Sequence, residues 1–307
     1  MTALFFSAWK ITSPILWTLL AGLTLKQLKI IGARFIKYTN KAVFLFFLPI
    51  TLFLSIATKP ADQHINFELV FFGVTYTLLS VIGMWYWVRR SHDPEYTGVF
   101  VQSAFRGNMG IVGLSLIVGA YGEAGLIQGG FYLGINTIIY NLSAVVLLNT
   151  GKKNLVLPII KNPLIIGAIS GIIWSTLGLP IPGLEGFSVS DMVKSVLPIA
   201  LVSIGGSLSW SSFRSNHIDV LLAASLKLVV LPLLATLIAW AIGFEGMMLG
   251  ILFLMMASPT AAASYVMAQQ MTQYGAFTAE TVAVTTLASP LTITLGLILL
   301  SWLESIT

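Results

Sequence analysis

The chain has 307 residues, of which 57% are hydrophobic and only 9% are charged. About a quarter of the residues in a typical soluble domain are charged, so this composition nearly excludes a soluble globular enzyme, and it excludes a disordered chain. The mean hydropathy of +0.92 indicates a protein that lies mostly in lipid. The absence of cysteine excludes disulfides, thiolate nucleophiles and cysteine-ligated metals.

Long apolar stretches follow one another along the whole chain. A membrane-spanning helix needs about 20 mostly apolar residues. The sequence therefore predicts an all-α polytopic membrane protein with ten transmembrane helices. We expect the first apolar segment to remain as a span, because it lacks the pattern of a cleavable signal peptide. The predicted spans are 4–25, 35–57, 67–88, 97–119, 124–149, 160–178, 190–208, 217–242, 246–271 and 277–302.

The basic residues indicate how these spans are oriented. The net charge is +5, from 16 Lys and Arg against 11 Asp and Glu. Eleven of the basic residues fall on the side that holds the loops after the odd-numbered spans, and three fall on the other side. Because cytoplasmic loops are enriched in Lys and Arg, both termini are predicted to lie outside the cytoplasm.

The two halves of the chain resemble each other at one offset. Three residue pairs recur 149 positions apart: Pro14 with Pro163, Gly22 with Gly171, and Pro49 with Pro198. The sequence thus predicts a first five-helix repeat over 1–150 and a second over 151–307, together forming one membrane domain. Since each repeat holds an odd number of spans, the repeats are inverted, which is typical of secondary transporters.

Spans four and nine carry interruptions at corresponding places. Span four contains Gly107, Asn108 and Gly110, and span nine contains Pro259 and Thr260. Glycine and proline both weaken a helix, and non-helical backbone at membrane depth survives only beside protein or a watery cavity. We therefore expect Gly107, Gly110 and Pro259 to break helices four and nine, whose half-helix amino termini could then face an anion.

At these positions the sequence resembles the auxin efflux carrier family, which includes plant PIN proteins and bacterial malonate or malate permeases. The long hydrophilic loop of the plant members is missing, so the chain is similar to the compact bacterial type. The matching stretches include Gly107-Asn108-Met109-Gly110, Tyr121-Gly122-Glu123-Ala124-Gly125-Leu126, Lys161-Asn162-Pro163-Leu164, Lys227-Leu228-Val229-Val230-Leu231-Pro232 and Ala257-Ser258-Pro259-Thr260-Ala261.

The resemblance implies two inverted five-helix repeats in which broken helices four and nine cross. It implies a scaffold of spans one, two, six and seven, a moving unit made of the rest, and elevator-type alternating access. It also implies a homodimer and, for the compact type, a bacterial inner (plasma) membrane location. By similarity, Asn108 and Pro259 mark the crossover, while Asn136 and Asn141 lie where family members contact substrate.

Several polar residues within spans allow two interpretations each. Asn136 and Tyr140 lie on one face of span five, with Asn141 one position round; they could bind substrate or join neighbouring helices. Arg106 and Lys227 are the two cations inside spans, and an ionisable residue there is a functional hypothesis by default. Either cation could instead be structural, with Lys227 bound to backbone carbonyls.

The sequence therefore predicts a secondary transporter for a small organic anion, such as a dicarboxylate or an auxin-like carboxylate. We expect no catalytic centre, metal site, cofactor or nucleic-acid partner; the expected partners are the anion and membrane lipid. Coupling to sodium or protons stays open. A buried carboxylate relay for protons is disfavoured, because no acidic residue is clearly mid-span. The alternatives are a sensor or scaffold that retains a transporter fold and, with least support, an intramembrane enzyme. The predicted substrate-binding residues are Arg106, Asn108, Gly110, Asn136, Tyr140, Asn141, Pro259 and Thr260.

Overall fold

The structure is a computed structural model that describes residues 2–57, 66–148, 163–179, 181, 189–207 and 217–304. All regular secondary structure in these ranges is helical, apart from one isolated antiparallel bridge between Gly107 and Thr260. The helices are α1 (Thr2–Gln27), α2 (33–57), α3 (Phe67–Val88), α4 (Pro94–Phe105), α5 (109–121), α6 (123–148), α7 (Pro163–Leu177), α8 (Val189–Ser207), α9 (217–241), α10 (Gly246–Ala257), α11 (Ala262–Met271) and α12 (Gly275–Glu304).

Within the described residues, a helix or a pair of helices lies in each of the ten stretches predicted as membrane spans. Among the described residues, four helical segments are long and apolar enough to cross a membrane by themselves: Phe67–Val88, Met109–Leu148, Ile218–Ala241 and Gly275–Leu303. That the other stretches also cross stays a prediction. Spans four and nine are each divided into two helices, α4 with α5 and α10 with α11, at Gly107 and Pro259. Gly110, which was expected to break span four as well, lies inside the first turn of α5, so the interruption covers residues 106–108 only.

The segment 109–148 is two helices joined by a sharp turn. A continuous 40-residue helix would be about 60 Å long, twice the thickness of the hydrocarbon core. Gly122 interrupts it with a φ of 60° and a ψ of −138°, a conformation that favours glycine. Beyond the turn, Gly129 lies against Ile117, where an added Cβ would come within 2.9 Å of Cδ1. The chain therefore reverses, and α6 packs back along α5.

Helices α1 and α8 contact each other through glycines on both sides. A Cβ added to Gly22 would overlap the Val202 carbonyl, and one added to Gly205 would overlap the Leu19 carbonyl. Gly167 of α7 lies equally close to the backbone of α2. Small residues are how membrane helices approach without a hydrophobic driving force between them. These contacts pair α1 with α8 and α2 with α7, and a 3.1 Å hydrogen bond from the Ser203 hydroxyl of α8 to the Ile36 carbonyl of α2 joins the two pairs. They are the four helices that the family resemblance implied would form a scaffold.

The outer faces of several helices are covered with exposed apolar side chains. A soluble monomer rarely exposes large contiguous apolar patches, whereas a lipid-facing helix must do so. Such faces on α3, α9 and α12 identify their outward sides as lipid contacts. Large hydrophobic residues on these faces include Phe67, Phe71, Leu79, Ile82, Ile218, Leu221, Leu234, Ile238, Leu291, Leu295 and Trp302.

The start of α4 is fixed to the connection between α11 and α12. Asp93 caps α4, because its Oδ1 accepts a 2.9 Å hydrogen bond from the Tyr96 amide. Its Oδ2 accepts a 3.1 Å hydrogen bond from the hydroxyl of Tyr274, and Glu95 accepts one from the Gln273 amide. The Tyr96 amide favours the charged carboxylate and thereby lowers the pKa of Asp93 below 3.8.

We expect Asp93→Ala to lower the free energy of unfolding by about 1 kcal/mol at neutral pH, the usual cost of losing a helix cap. Because the pKa of Asp93 is lower in the folded state, its contribution is present above the unfolded pKa and lost as the pH falls through the folded pKa. Thermal unfolding in detergent at neutral and acidic pH measures both effects. Glu245→Ala is the matched control, since Glu245 precedes α10 without forming a side-chain cap; equal losses in the two variants would contradict the assignment.

Candidate functional site

The two broken helices meet through their interrupted backbones. The Asn108 amide donates to the Pro259 carbonyl at 2.6 Å, and the Ala261 amide donates to the Arg106 carbonyl at 2.9 Å. Gly107 and Thr260 form the antiparallel bridge between these two bonds. Each break thus supplies hydrogen-bond partners for the other, which solves the problem of unpaired backbone groups at membrane depth.

Four helix ends converge on this crossover. Helix α4 ends at Phe105 and α10 at Ala257, while α5 begins at Met109 and α11 at Ala262. Two positive helix amino termini and two negative carboxyl termini therefore lie within a few residues of one another. A single site of this kind can hold both a cation and an anion, each beside the helix ends of opposite sign.

Lys227 of α9 lies at the carboxyl-terminal end of α10. Its Nζ donates a 2.6 Å hydrogen bond to the Met256 carbonyl, and the side chain is 1% exposed. Gly107 leaves room for it, because an added Cβ would come within 2.5 Å of Ser258 Oγ and 3.0 Å of Lys227 Nζ. A cation beside a helix carboxyl terminus is electrostatically favourable. The structural interpretation of Lys227, binding to backbone carbonyls, is the one the geometry fits.

The other buried cation, Arg106, contacts different residues from those that Lys227 contacts. One guanidinium nitrogen donates to the Asn141 amide oxygen at 2.6 Å, and the other donates to the Met267 sulfur at 2.7 Å. Arg106 and Gly107 are neighbours in extended backbone, so their outward directions lie on opposite sides of the crossover. Arg106 is 6% exposed. Among the described residues, no carboxylate is hydrogen-bonded or ion-paired to Arg106 or Lys227.

Thr260 secures the second break to two neighbouring helices. Its amide donates to Thr285 Oγ1 of α12 at 3.1 Å, and its hydroxyl donates to the Ser103 carbonyl of α4 at 2.8 Å. The Ser103 hydroxyl in turn lies 3.1 Å from Thr278 Oγ1. The backbone around Pro259 is therefore held by α4 and α12, and Thr260 has a structural role independent of any ligand.

The predicted polar residues of α6 take different positions. Asn141 joins the crossover through Arg106, and it also donates to the Thr137 carbonyl at 2.9 Å. The Tyr140 ring lies edge-on to Phe105 at 5.2 Å. Asn136 is fully buried, but its one hydrogen bond, of 3.0 Å, goes to the Tyr132 carbonyl within the same helix. The structure thus connects Asn141, and not Asn136, to the buried arginine.

The two remaining predicted residues, Asn108 and Gly110, lie at the first break and in the turn that follows it. Asn108 is half-buried, and its side chain forms no hydrogen bond with the described part of the chain. Its carbonyl accepts the Val112 and Gly113 amides at 3.0 and 3.2 Å, which starts α5 with a wide turn. Gly110 lies within this turn and is also half-buried. Asn108 is therefore a polar group next to Arg106 that remains available for a ligand.

Three further buried or half-buried side chains of α4 and α11, which are polar or polarisable, were not predicted as site residues. Gln102 is four residues before Arg106 on α4 and therefore shares its face, a spacing that could have identified it. Ser264 and Met267 are three residues apart on α11, where nothing in the sequence marked Met267 as more than an apolar residue. Glu280, which the sequence places at a span end, lies near the start of α12 but is only 4% exposed.

The crossover of two broken helices and the repeated sequence pattern agree with a comparison to known families. The chain matches the membrane transport protein family twice, over residues 11–151 and 149–297. It belongs to the auxin efflux carrier family. This assignment confirms the resemblance inferred from the glycine and proline motifs, and it makes the chain an integral membrane protein of a transporter family.

Two curated relatives support the same assignment. One is an uncharacterized transporter from Methanothermobacter thermautotrophicus, 24% identical over 270 residues, which covers 86% of this chain and 89% of the relative. The other is an uncharacterized transporter from Methanocaldococcus jannaschii, 24% identical over 264 residues, which covers 82% and 86% of the two chains. The similarity therefore extends over nearly the full length of all three proteins.

We expect Gly107→Ala to destabilise the protein by roughly 1–3 kcal/mol, the usual cost of an extra methyl group in a filled site. The added Cβ would overlap Ser258 Oγ and would come within 3.0 Å of the Lys227 ammonium nitrogen. Gly119→Ala is the control, because the nearest atom to its Cβ would be Ile11 Cγ2 at 3.9 Å. Thermal unfolding in detergent compares the variants. Combining Gly107→Ala with Lys227→Met should recover part of the loss, whereas strictly additive losses would contradict the contact.

Proposed function

We propose that this protein is a secondary carrier for a small organic anion. The observation that carries the proposal is the buried Arg106 guanidinium at the helix crossover, with no carboxylate partner in the described part of the chain. The transporter family supports transport in general. The charge of the cargo is inferred from this site.

The electrostatic argument rests on what a buried cation requires. A charge at membrane depth is costly, and such residues usually pair with one another or mark a substrate pathway. Arg106 has five N–H donors, and its protein partners are a neutral amide and a thioether. A bound carboxylate would supply the missing negative charge and could accept two parallel hydrogen bonds from the guanidinium.

Other groups at the crossover favour an anion on the same side. Helices α5 and α11 begin there, so the positive ends of two helix dipoles face the site. The half-buried Asn108 side chain can donate to an anionic oxygen. The amide oxygen of Asn141 accepts a 2.6 Å hydrogen bond from the Arg106 guanidinium and thereby fixes its position. We therefore assign substrate binding to Arg106, Asn108 and the first turns of α5 and α11.

The site fits two substrate classes in different ways. An auxin-like monocarboxylate would neutralise Arg106 and leave its apolar body against α6 and α11. A dicarboxylate such as malonate or malate would place its second carboxylate at a helix amino terminus, since Lys227 lies on the opposite side and is bound to Met256. Comparing the two classes in one assay therefore reports how much charge the helix ends can stabilise.

The proposed mechanism is elevator-type alternating access by two inverted repeats. The duplicated family match is consistent with two related halves. In this mechanism α1, α2, α7 and α8 form the static scaffold, held by the glycine contacts at Gly22 and Gly205. The broken helices move the crossover past it, and a homodimer would anchor the scaffold. Both termini then lie outside the cytoplasm, with the basic loops inside.

A sensor or scaffold that retains the transporter fold is the second candidate function. It would bind the anion at Arg106 without moving it, because fold alone does not determine activity. The two candidates differ in one measurement, which is net flux across a sealed bilayer. An intramembrane enzyme has less support, since a transporter family is the finding for this chain.

We expect purified protein in liposomes to transport radiolabelled malonate, malate or indole-acetate with saturable kinetics. Arg106→Gln should abolish uptake, because the amide cannot neutralise a buried carboxylate. Arg90→Gln is the control, since it removes an exposed arginine from a loop with the same change in net charge. Binding without flux would favour a sensor, and the absence of both for every anion would refute the substrate class.

We expect transport to proceed at the same rate when sodium is replaced by potassium at constant membrane potential. The carbonyl-rich end of α10, where a sodium ion could bind at the crossover, is occupied by the Lys227 ammonium group. Lys227→Met vacates that position and should make stability in detergent depend on added sodium. Sodium-stimulated transport by the wild-type carrier would contradict this expectation.

A further inference from the structure

The sulfur of Met267 on α11 lies against the Arg106 guanidinium, where an anion would be a better acceptor. Its Sδ lies 2.7 Å from an Arg106 guanidinium nitrogen and 3.8 Å from Gln102 Nε2. Gln102 lies in the last turn of α4, and Arg106 directly follows that helix, with its backbone amide donating to the Gln102 carbonyl at 3.1 Å. A thioether is only a weak hydrogen-bond acceptor. The strongest donor in the crossover is therefore directed at one of the poorest acceptors in a protein.

Two more polar groups, one on α4 and one on α11, lack partners. Gln102 Oε1 and Ser264 Oγ are fully buried, and neither has a hydrogen-bond partner in the described part of the chain. Leaving a buried polar atom unpaired is unfavourable and uncommon in native proteins. Gln102 precedes Arg106 by one helical turn, and Ser264 precedes Met267 by one. Each side of the Arg106–Met267 contact thus has an unsatisfied group about one helical turn earlier in the chain.

We propose that Met267 is a displaceable plug, whose thioether occupies the position of the substrate carboxylate in the empty carrier. This inference rests on the proposed anion-carrier function. When a carboxylate binds, it replaces the sulfur as the acceptor for Arg106, and the methionine side chain rotates away. Methionine suits this role because it is unbranched, with three rotatable bonds and a polarisable sulfur.

The plug has a consequence for affinity. An anion must compete with the sulfur for the guanidinium, and this competition lowers the affinity of every anion by the same factor. A carboxylate accepts two parallel hydrogen bonds from a guanidinium, whereas a halide offers a single atom. The preference for carboxylates over halides would therefore come from Arg106, while Met267 raises the concentration of any anion that is needed to fill the site.

Substitutions at Met267 in opposite directions test the proposal. Leucine provides no acceptor, so Met267→Leu should lower both the Kd and the KM for malonate or indole-acetate, by about two- to tenfold, the range expected for one weak hydrogen bond. Glutamine provides a stronger acceptor, so Met267→Gln should raise both. Met84→Leu, a buried methionine of α3, is the matched control and should leave binding unchanged.

The measurements are calorimetric binding in detergent and KM and kcat for uptake in liposomes, with thermal unfolding to confirm that each variant is folded. Unchanged or weakened binding in a folded Met267→Leu variant would overturn the plug and make Met267 a packing residue or a direct substrate contact. In an Arg106→Lys background the Met267→Leu gain should shrink, since the competition is for the guanidinium. A wild-type protein that binds no carboxylate would instead refute the proposed function itself.

Discussion

The two hydrogen bonds exchanged between the broken helices are the constraint on which the rest of the site depends. Backbone that leaves the helical conformation in a membrane has no water to bind, so every freed group needs a partner. Here residues 106–108 and 259–261 provide for each other as a minimal antiparallel pair. Each interruption therefore supplies the partners that the other needs. The two family matches, over residues 11–151 and 149–297, contain one interruption each.

The extended backbone at the crossover also separates the two buried cations. Successive residues of extended chain face opposite sides, so Arg106 and the gap left by Gly107 point in different directions. Lys227 fills that gap and stabilises a helix end. Arg106 is left with uncharged partners. Lys227 therefore has a structural role at the end of α10. Arg106 has no negatively charged partner in the described part of the chain.

The sequence alone predicts those features of the site that depend on the backbone properties of single residues. Glycine and proline weaken helices through their own backbone properties, so Gly107 and Pro259 locate the crossover from their positions in the chain alone. The partner of Arg106 cannot be obtained this way. Adjacent residues of a helix differ in direction by about 100°, and only the packing of α6 decides that Asn141 contacts the arginine. Met267 gives no signal in the sequence, because a thioether counts as apolar until its neighbours are known.

The permanent charge of Arg106 has a consequence for the electrical behaviour of the carrier. A guanidinium stays protonated in proteins, so any movement of the crossover through the membrane field carries that charge with it. In the mechanism proposed above, the Lys227 ammonium group would move with it, because Lys227 contacts the same crossover. A bound monocarboxylate would cancel one of these two charges, and a dicarboxylate would cancel both. The charge number of the cargo would then decide whether the loaded step responds to the membrane potential, whereas the return of the empty carrier would respond in either case.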